Sequence, residues 1–176
     1  VFGAVAAIGQ KNLKRLMAYS SISHMGFALA GLAVGTNEGI QSSLIYIYIY
    51  LLMNLAFFSC LFMLKRNDVY YEDLSDLSGL SKNHPILALC LLISLFSLAG
   101  IPPLAGFFAK FYIFLAVIKE EMYFLAIVGL LSTVVAAFYY LRVIKTIYFD
   151  SQTEKFDINH DIGPVSYTHL RAHETV

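Results

Sequence analysis

Residues 86–118 are almost wholly apolar, yet they carry the break Gly100-Ile101-Pro102-Pro103 and, seven residues after it, Lys110. No other feature restricts the fold as strongly. A membrane crossing needs about 20 apolar residues, so this stretch is too long for one straight span and fits a helix broken at Gly100-Ile101-Pro102-Pro103. The two prolines supply no N–H, which deprives the carbonyls of Leu98 and Ala99 of their helical donors. Hydrocarbon cannot satisfy those carbonyls, and non-helical backbone at that depth persists only where protein or a water-filled cavity covers it. A lysine in the same place costs about 2.5–3.5 kcal/mol on insertion scales and turns toward a bundle interior or a water path. Snorkelling does not release it. Lys119 already marks the interface, and Lys110 lies about 13 Å deeper by helical rise. A broken membrane helix beside an ionisable group is the way transporters build ion sites.

Composition agrees with a chain that lives in lipid. Of 176 residues, 59% are hydrophobic and only 14% are charged, too few charges to cover the surface of a soluble domain. The expected class is an all-α, polytopic transmembrane helix bundle in contact with the lipid bilayer. The net charge is zero, so nothing points to nucleic acid. Cys60 and Cys90 fall in apolar spans and read as small buried hydrophobes without a redox or metal role. Val1 is not an initiator methionine and no signal peptide follows it. The chain reads as an internal fragment that starts partway through a membrane helix.

Four spans are expected, at about 16–34, 40–64, 86–118 and 122–149, after the end of an earlier helix at 1–9; together they make one membrane unit over 1–160. Lys11, Lys14 and Arg15 precede the first span. Lys65, Arg66 and Lys82 lie between the second and third, and Arg142, Lys145 and Lys155 end or follow the fourth. Four crossings place all three clusters on one side, against a single lysine in the opposite loops, 35–39 and 119–121. That asymmetry is the positive-inside pattern. It places the clusters on the cytoplasmic side of a bacterial inner membrane, or in the matrix if the source is mitochondrial. Residues 165–176 look foreign to this plan. They are polar and resemble a peptide that recurs at the ends of truncated environmental reading frames as a sequencing artefact. His169 and His173 have the i, i+4 spacing of a metal pair, but no further ligand accompanies them.

The spans hold several polar groups. His24 sits mid-span with Ser20 and Ser21 on the same helix face. It has two readings, interhelical glue or a proton relay, since histidine can give and take a proton near neutral pH. Gly31 and Gly35 form a small-xxx-small pair suited to close helix contact. Asn54, with Tyr50 and Tyr46 at i−4 and i−8, makes a stripe of hydrogen-bonding groups better suited to packing than to proton transfer. Ser132 and Thr133 add polar groups to the last span. Tyr139 and Tyr140 lie near Arg142 and read as interfacial anchors.

Several strings are specific in combination. Lys11-Asn12-Leu13-Lys14-Arg15-Leu16-Met17-Ala18-Tyr19-Ser20-Ser21-Ile22-Ser23-His24-Met25-Gly26 resembles the signature of the antiporter-like subunits of respiratory complex I and of multisubunit cation/proton antiporters. Ser97-Leu98-Ala99-Gly100-Ile101-Pro102-Pro103-Leu104-Ala105-Gly106-Phe107-Phe108-Ala109-Lys110-Phe111 resembles that family's broken twelfth helix, and Lys110 stands where the family has its terminal proton-channel residue. Tyr50-Leu51-Leu52-Met53-Asn54-Leu55 and Ala137-Phe138-Tyr139-Tyr140-Leu141-Arg142 resemble most the branch of subunit N, the homologue of mitochondrial subunit 2. The resemblance covers about residues 1–160 and implies helices ten to thirteen of the family. It implies a proton-translocating subunit of NADH–quinone oxidoreductase that carries the outlet half of a proton channel, with other complex I membrane subunits as partners and protons and channel water as cargo and medium. It implies no cofactor in this chain, with NADH, FMN, iron–sulfur clusters and quinone in other subunits. The family's glutamate on helix five, its lysines on helices seven and eight, and helix fourteen have no counterpart in the residues read here. The rival readings are a subunit of a multisubunit cation/proton antiporter and a structural membrane spacer.

Overall fold

The computed structural model describes residues 1–66, 69–70, 73–151 and 157–158; the 165–176 segment, with His169 and His173, lies outside them. Seven helices are present among the described residues: α1 (Phe2–Ile8), α2 (Leu13–Ala33), α3 (Asn37–Met63), α4 (Leu80–Asn83), α5 (Pro85–Ala99), α6 (Ala105–Lys119) and α7 (Tyr123–Phe149). The ends follow local chemistry. Asn12 caps α2 by accepting from the Arg15 N–H at 3.1 Å, and Thr36 caps α3 by accepting from Gly39 N–H at 3.3 Å. Pro85 occupies the first turn of α5, where a missing N–H costs nothing.

α2, α3 and α7 are each long and apolar enough to cross a membrane. α5 and α6, at 15 residues each, rise only about 22 Å apiece and divide the 86–118 apolar stretch into two half-helices. α3 packs on α2, α5 and α6, while α7 packs on α1 and α5. The core is a cluster of Leu, Met, Phe and Ala side chains with Tyr139 and Tyr140 inside it. Large apolar side chains such as Ile22, Leu29, Leu51, Leu55, Phe124, Leu131 and Phe138 point outward, an arrangement that suits lipid or neighbouring helices and not water.

The two ends of the bundle differ. At one, Leu74 N–H reaches Lys11 O at 2.9 Å and Gly79 N–H reaches Thr146 O at 3.3 Å, so the basic positions before α2 and near the end of α7 share a face with the 73–83 part of the connection that follows α3. At the other, Lys119 and Glu38 pair at 2.7 Å, joining the start of α3 to the α6–α7 turn. A small antiparallel sheet, β1 (Leu64–Arg66), β2 (Val69–Tyr70) and β3 (Asp157–Ile158), in the order β2-β1-β3, caps the first end. It was not expected from the sequence, where these short polar stretches carry no alternation long enough to read.

Three sequence expectations change. Tyr139 and Tyr140 are fully buried and are not interfacial anchors. Ser132, Ala136, Tyr140, Val143 and Ile147 form one buried stripe at helical spacing, and that stripe outweighs their nearness to Arg142. Gly35 is not a packing residue: at φ +71° it ends the turn after α2 with open space around it, and the close contact runs instead from Gly31 to Gly39 and Ser43 of α3. Cys90 is exposed and only Cys60 is partly buried, because α5 turns Leu87, Leu91, Ser94 and Leu98 inward.

Candidate functional site

The helix break between Ala99 and Ala105 is real, and the backbone around it is satisfied piece by piece. Gly100 adopts φ +88°, a conformation only glycine takes freely. Its N–H and that of Ile101 turn back to the carbonyls of Phe96 and Ser97 at 3.0–3.1 Å, closing a Schellman-type cap. Pro102 and Pro103 follow through a cis bond. This leaves the carbonyls of Leu98 and Ala99, the two the sequence marks as orphans. Lys110 takes both: its Nζ donates to Leu98 O at 3.1 Å and to Ala99 O at 3.0 Å. The side chain is 4% exposed. The negative end of the α5 dipole faces the amine, and the Phe27 ring lies beneath it with Nζ 5.4 Å from the centroid.

The amine can reach this position only because the helices approach closely. A Cβ on Gly100 would meet Lys110 Cδ and Nζ at 3.1 Å, and one on Gly106 would collide with the Ser97 carbonyl. Gly106 N–H donates to Ser97 Oγ at 3.1 Å, and that hydroxyl donates to Met53 Sδ at 2.8 Å.

One helical turn from Phe27, His24 is 2% exposed and held at both ring nitrogens. Its Nδ1 lies 2.7 Å from Tyr46 Oη and its Nε2 3.0 Å from Tyr140 Oη. Tyr140 Oη also hydrogen-bonds Ser20 Oγ. The Tyr50 ring stacks on the imidazole at 4.7 Å, and its hydroxyl donates to Ser21 Oγ at 2.7 Å, which donates to Met17 O. A neutral imidazole has one donor and one acceptor, so one tyrosine must donate to it and the other accept. Exchanging the tautomer reverses the whole chain Ser20–Tyr140–His24–Tyr46 without moving a heavy atom. Such a chain can pass a proton, and it can equally lock three helices together.

Ser20, Ser21, His24 and Tyr50 therefore gather at one place. Gly100, Pro102, Pro103 and Lys110 gather at a second, linked to the first through Phe27 and Tyr46, whose rings stand 6.0 Å apart. Asn54 joins neither; its amide donates to Tyr50 O on its own helix at 3.0 Å. Ser132 and Thr133 likewise bond back to Val128 O and Gly129 O. Sequence reasoning missed Ser97, Phe27, Gly106 and the inward turn of Tyr140. The stripe ending in Tyr140 was there to be read, whereas the Ser97 link depends on how two half-helices meet.

A helix bundle with three long apolar helices, a discontinuous helix and a lysine buried at its break defines a multi-pass membrane protein. Residues 1–136 match the family model described as "NADH:quinone oxidoreductase/Mrp antiporter, TM", and the chain belongs to that family. It is 76% identical over 162 residues to NADH-quinone oxidoreductase subunit N of Pelagibacter ubique (strain HTCC1062), covering 92% of this chain and 34% of that one. Among solved structures, respiratory complex I from Thermus thermophilus with bound aureothin matches with a TM-score of 0.77 at 30% identity, over 91% of this chain and 36% of that one. The Mrp complex from Dietzia sp. DQ12-45-1b matches with 0.79 at 26% identity, over 90% and 29%. The chain thus spans about a third of the length of its relatives.

Proposed function

We propose that this chain forms the outlet part of a proton channel in a subunit N of NADH–quinone oxidoreductase, in which proton movement is coupled to NADH oxidation by quinone in other subunits. The observation that carries the proposal is Lys110, buried at the helix break with its amine on two backbone carbonyls. A lysine with only structural work would sit better at the interface, where it keeps its water. At the break it has acceptors for its protonated form, and when neutral it can still donate to both carbonyls, so either protonation state fits the same cage. His24 and its tyrosines supply the relay to or from the rest of the channel, and side-chain exchange of protons needs no large backbone motion. The rest of the complex I membrane arm and channel water are the expected partners, and a bacterial inner membrane, or a mitochondrial one for an organellar source, is the expected location. The basic end of the bundle faces the cytoplasm or matrix on the charge asymmetry.

The antiporter reading keeps the same channel chemistry without redox coupling. Likeness to the Mrp complex at 26% identity supports it less than 76% identity to a complex I subunit supports the first, and gene neighbourhood separates them. The functional test is Lys110→Met in the intact complex, read as proton uptake into membrane vesicles per NADH oxidised, with assembly checked separately. We expect uptake to fall; Lys110→Arg should fall as well, since arginine keeps its proton at physiological pH. Parental pumping by an assembled Lys110→Met enzyme would reduce this lysine to a structural residue.

A further inference from the structure

α6 begins badly by local rules. Its N-cap residue is Leu104, which has no side-chain acceptor for the free N–H groups of the first turn. In lipid such groups are costly. The acceptor comes from the other half-helix: Ser97 Oγ, in the last turn of α5, accepts from Gly106 N–H at 3.1 Å. Lys110 does the converse, using a side chain of α6 to satisfy the last carbonyls of α5 at 3.0–3.1 Å. Each half-helix therefore caps the other. The serine is fixed in turn by donating to Met53 Sδ of α3 at 2.8 Å. It is buried, and glycine at 106 is what lets the two backbones close to this distance.

We propose that Ser97 is a positioning residue for Lys110: its hydroxyl clasps α6 to α5, and the clasp sets the distance between the Lys110 amine and the Leu98 and Ala99 carbonyls. The proposal rests on the reading of Lys110 as the group that loads and releases the proton. Without the hydroxyl, the first turn of α6 is free to draw away from α5, and the amine is no longer held against its two carbonyl acceptors. The titratable groups in the same interior are His24 of α2, Tyr46 and Tyr50 of α3, and Tyr139 and Tyr140 of α7, while α5 offers only Ser94 and Ser97. None of these is a carboxylate that could replace the lost acceptors.

The test uses the full-length subunit in the assembled complex, with Ser97→Ala, Ser97→Cys and Ser97→Thr. Proton uptake per NADH should fall for the first two. Its pH profile should shift by about one unit, a tenfold change in protonation at fixed pH. Threonine, which keeps the hydroxyl, should restore both. In a Lys110→Met background Ser97→Ala should have no further effect. Three results would overturn the positioning role: a parental profile in assembled Ser97→Ala and Ser97→Cys enzymes, a fall in uptake with the profile unmoved, or failure of both variants to assemble. Loss of pumping in Lys110→Met with parental Ser97 variants removes only this inference. Parental pumping by Lys110→Met removes the channel reading and this inference with it.

Discussion

Removing the Tyr140 hydroxyl as Tyr140→Phe tests the histidine network. The ring itself, fully buried beside Tyr139 at 4.6 Å between centroids, loses no packing, so the change isolates one oxygen. That oxygen serves both His24 Nε2, at 3.0 Å, and Ser20 Oγ. Ser20 can recover by turning its hydroxyl to the carbonyl one turn back, but Nε2 has no other partner among the described residues. An orphaned buried polar group costs about 1–3 kcal/mol in soluble proteins. Interhelical bonds measured in a membrane bundle average about 0.6 and reach about 1.7 kcal/mol. Because the orphan here is 2% exposed, the upper part of the membrane range applies, about 1–2 kcal/mol, or roughly a five- to thirtyfold shift in the folded-to-unfolded ratio. The assay is unfolding of the full-length subunit by detergent titration, with Tyr140→Phe, His24→Leu and the double variant forming a cycle. The double variant should lose less than the sum, since both changes break the same bond. Additive losses, or a Tyr140→Phe protein as stable as its parent, would show that Tyr140 and His24 are not partners.

Two further outcomes follow from the geometry. Gly39→Ala should destabilise by about 1–3 kcal/mol, the usual cost of overpacking, because its Cβ would stand 2.5 Å from Gly31 O and 2.9 Å from Val34 Cβ; detergent titration reads the loss, and Gly35→Ala, with open space but φ +71°, should cost only the backbone strain of about 1–2 kcal/mol. Glu38→Gln should change stability by less than about 1 kcal/mol, since its pair with Lys119 is exposed on both sides, and a larger loss in the same titration would mean that the pair is shielded in the full protein.

What the sequence disclosed and what it withheld have a common cause. Proline's missing N–H and the cost of a lysine in lipid are properties of single residues, so the break and the carbonyls of Leu98 and Ala99 could be named before the fold was known. The long apolar helices α2, α3 and α7 were legible for the same reason, since each needs only its own apolar run. The partners of those groups were not. Nothing local pairs Ser97 with Gly106, places Tyr140 against His24 across 116 positions, or sends the Arg142 guanidinium to Ile8 O and Gln10 O at 2.6 Å, where it ties the end of α1 to α7.

Those long-range links decide what the break can do. A helix interrupted by prolines alone would leave orphaned groups on both sides, and one orphan in hydrocarbon offsets several apolar contacts. Here the α5 carbonyls take the amine of α6 and the α6 N–H takes the hydroxyl of α5, so the break is stable because the lysine brings a side-chain donor to it. The lysine and the discontinuity therefore require one another. Methionine at 110 fills the space but leaves two carbonyls unpaired, and an unbroken helix would satisfy the carbonyls but leave the amine without acceptors. For that reason Lys110→Met must always be read with an assembly control, and a variant that restores a donor, such as Lys110→Gln, separates the two roles: it should recover stability by pairing at least one carbonyl while leaving proton uptake as low as in Lys110→Met, because an amide does not titrate. Recovery of uptake by Lys110→Gln would show that pairing the carbonyls, and not carrying a proton, is the task of this residue.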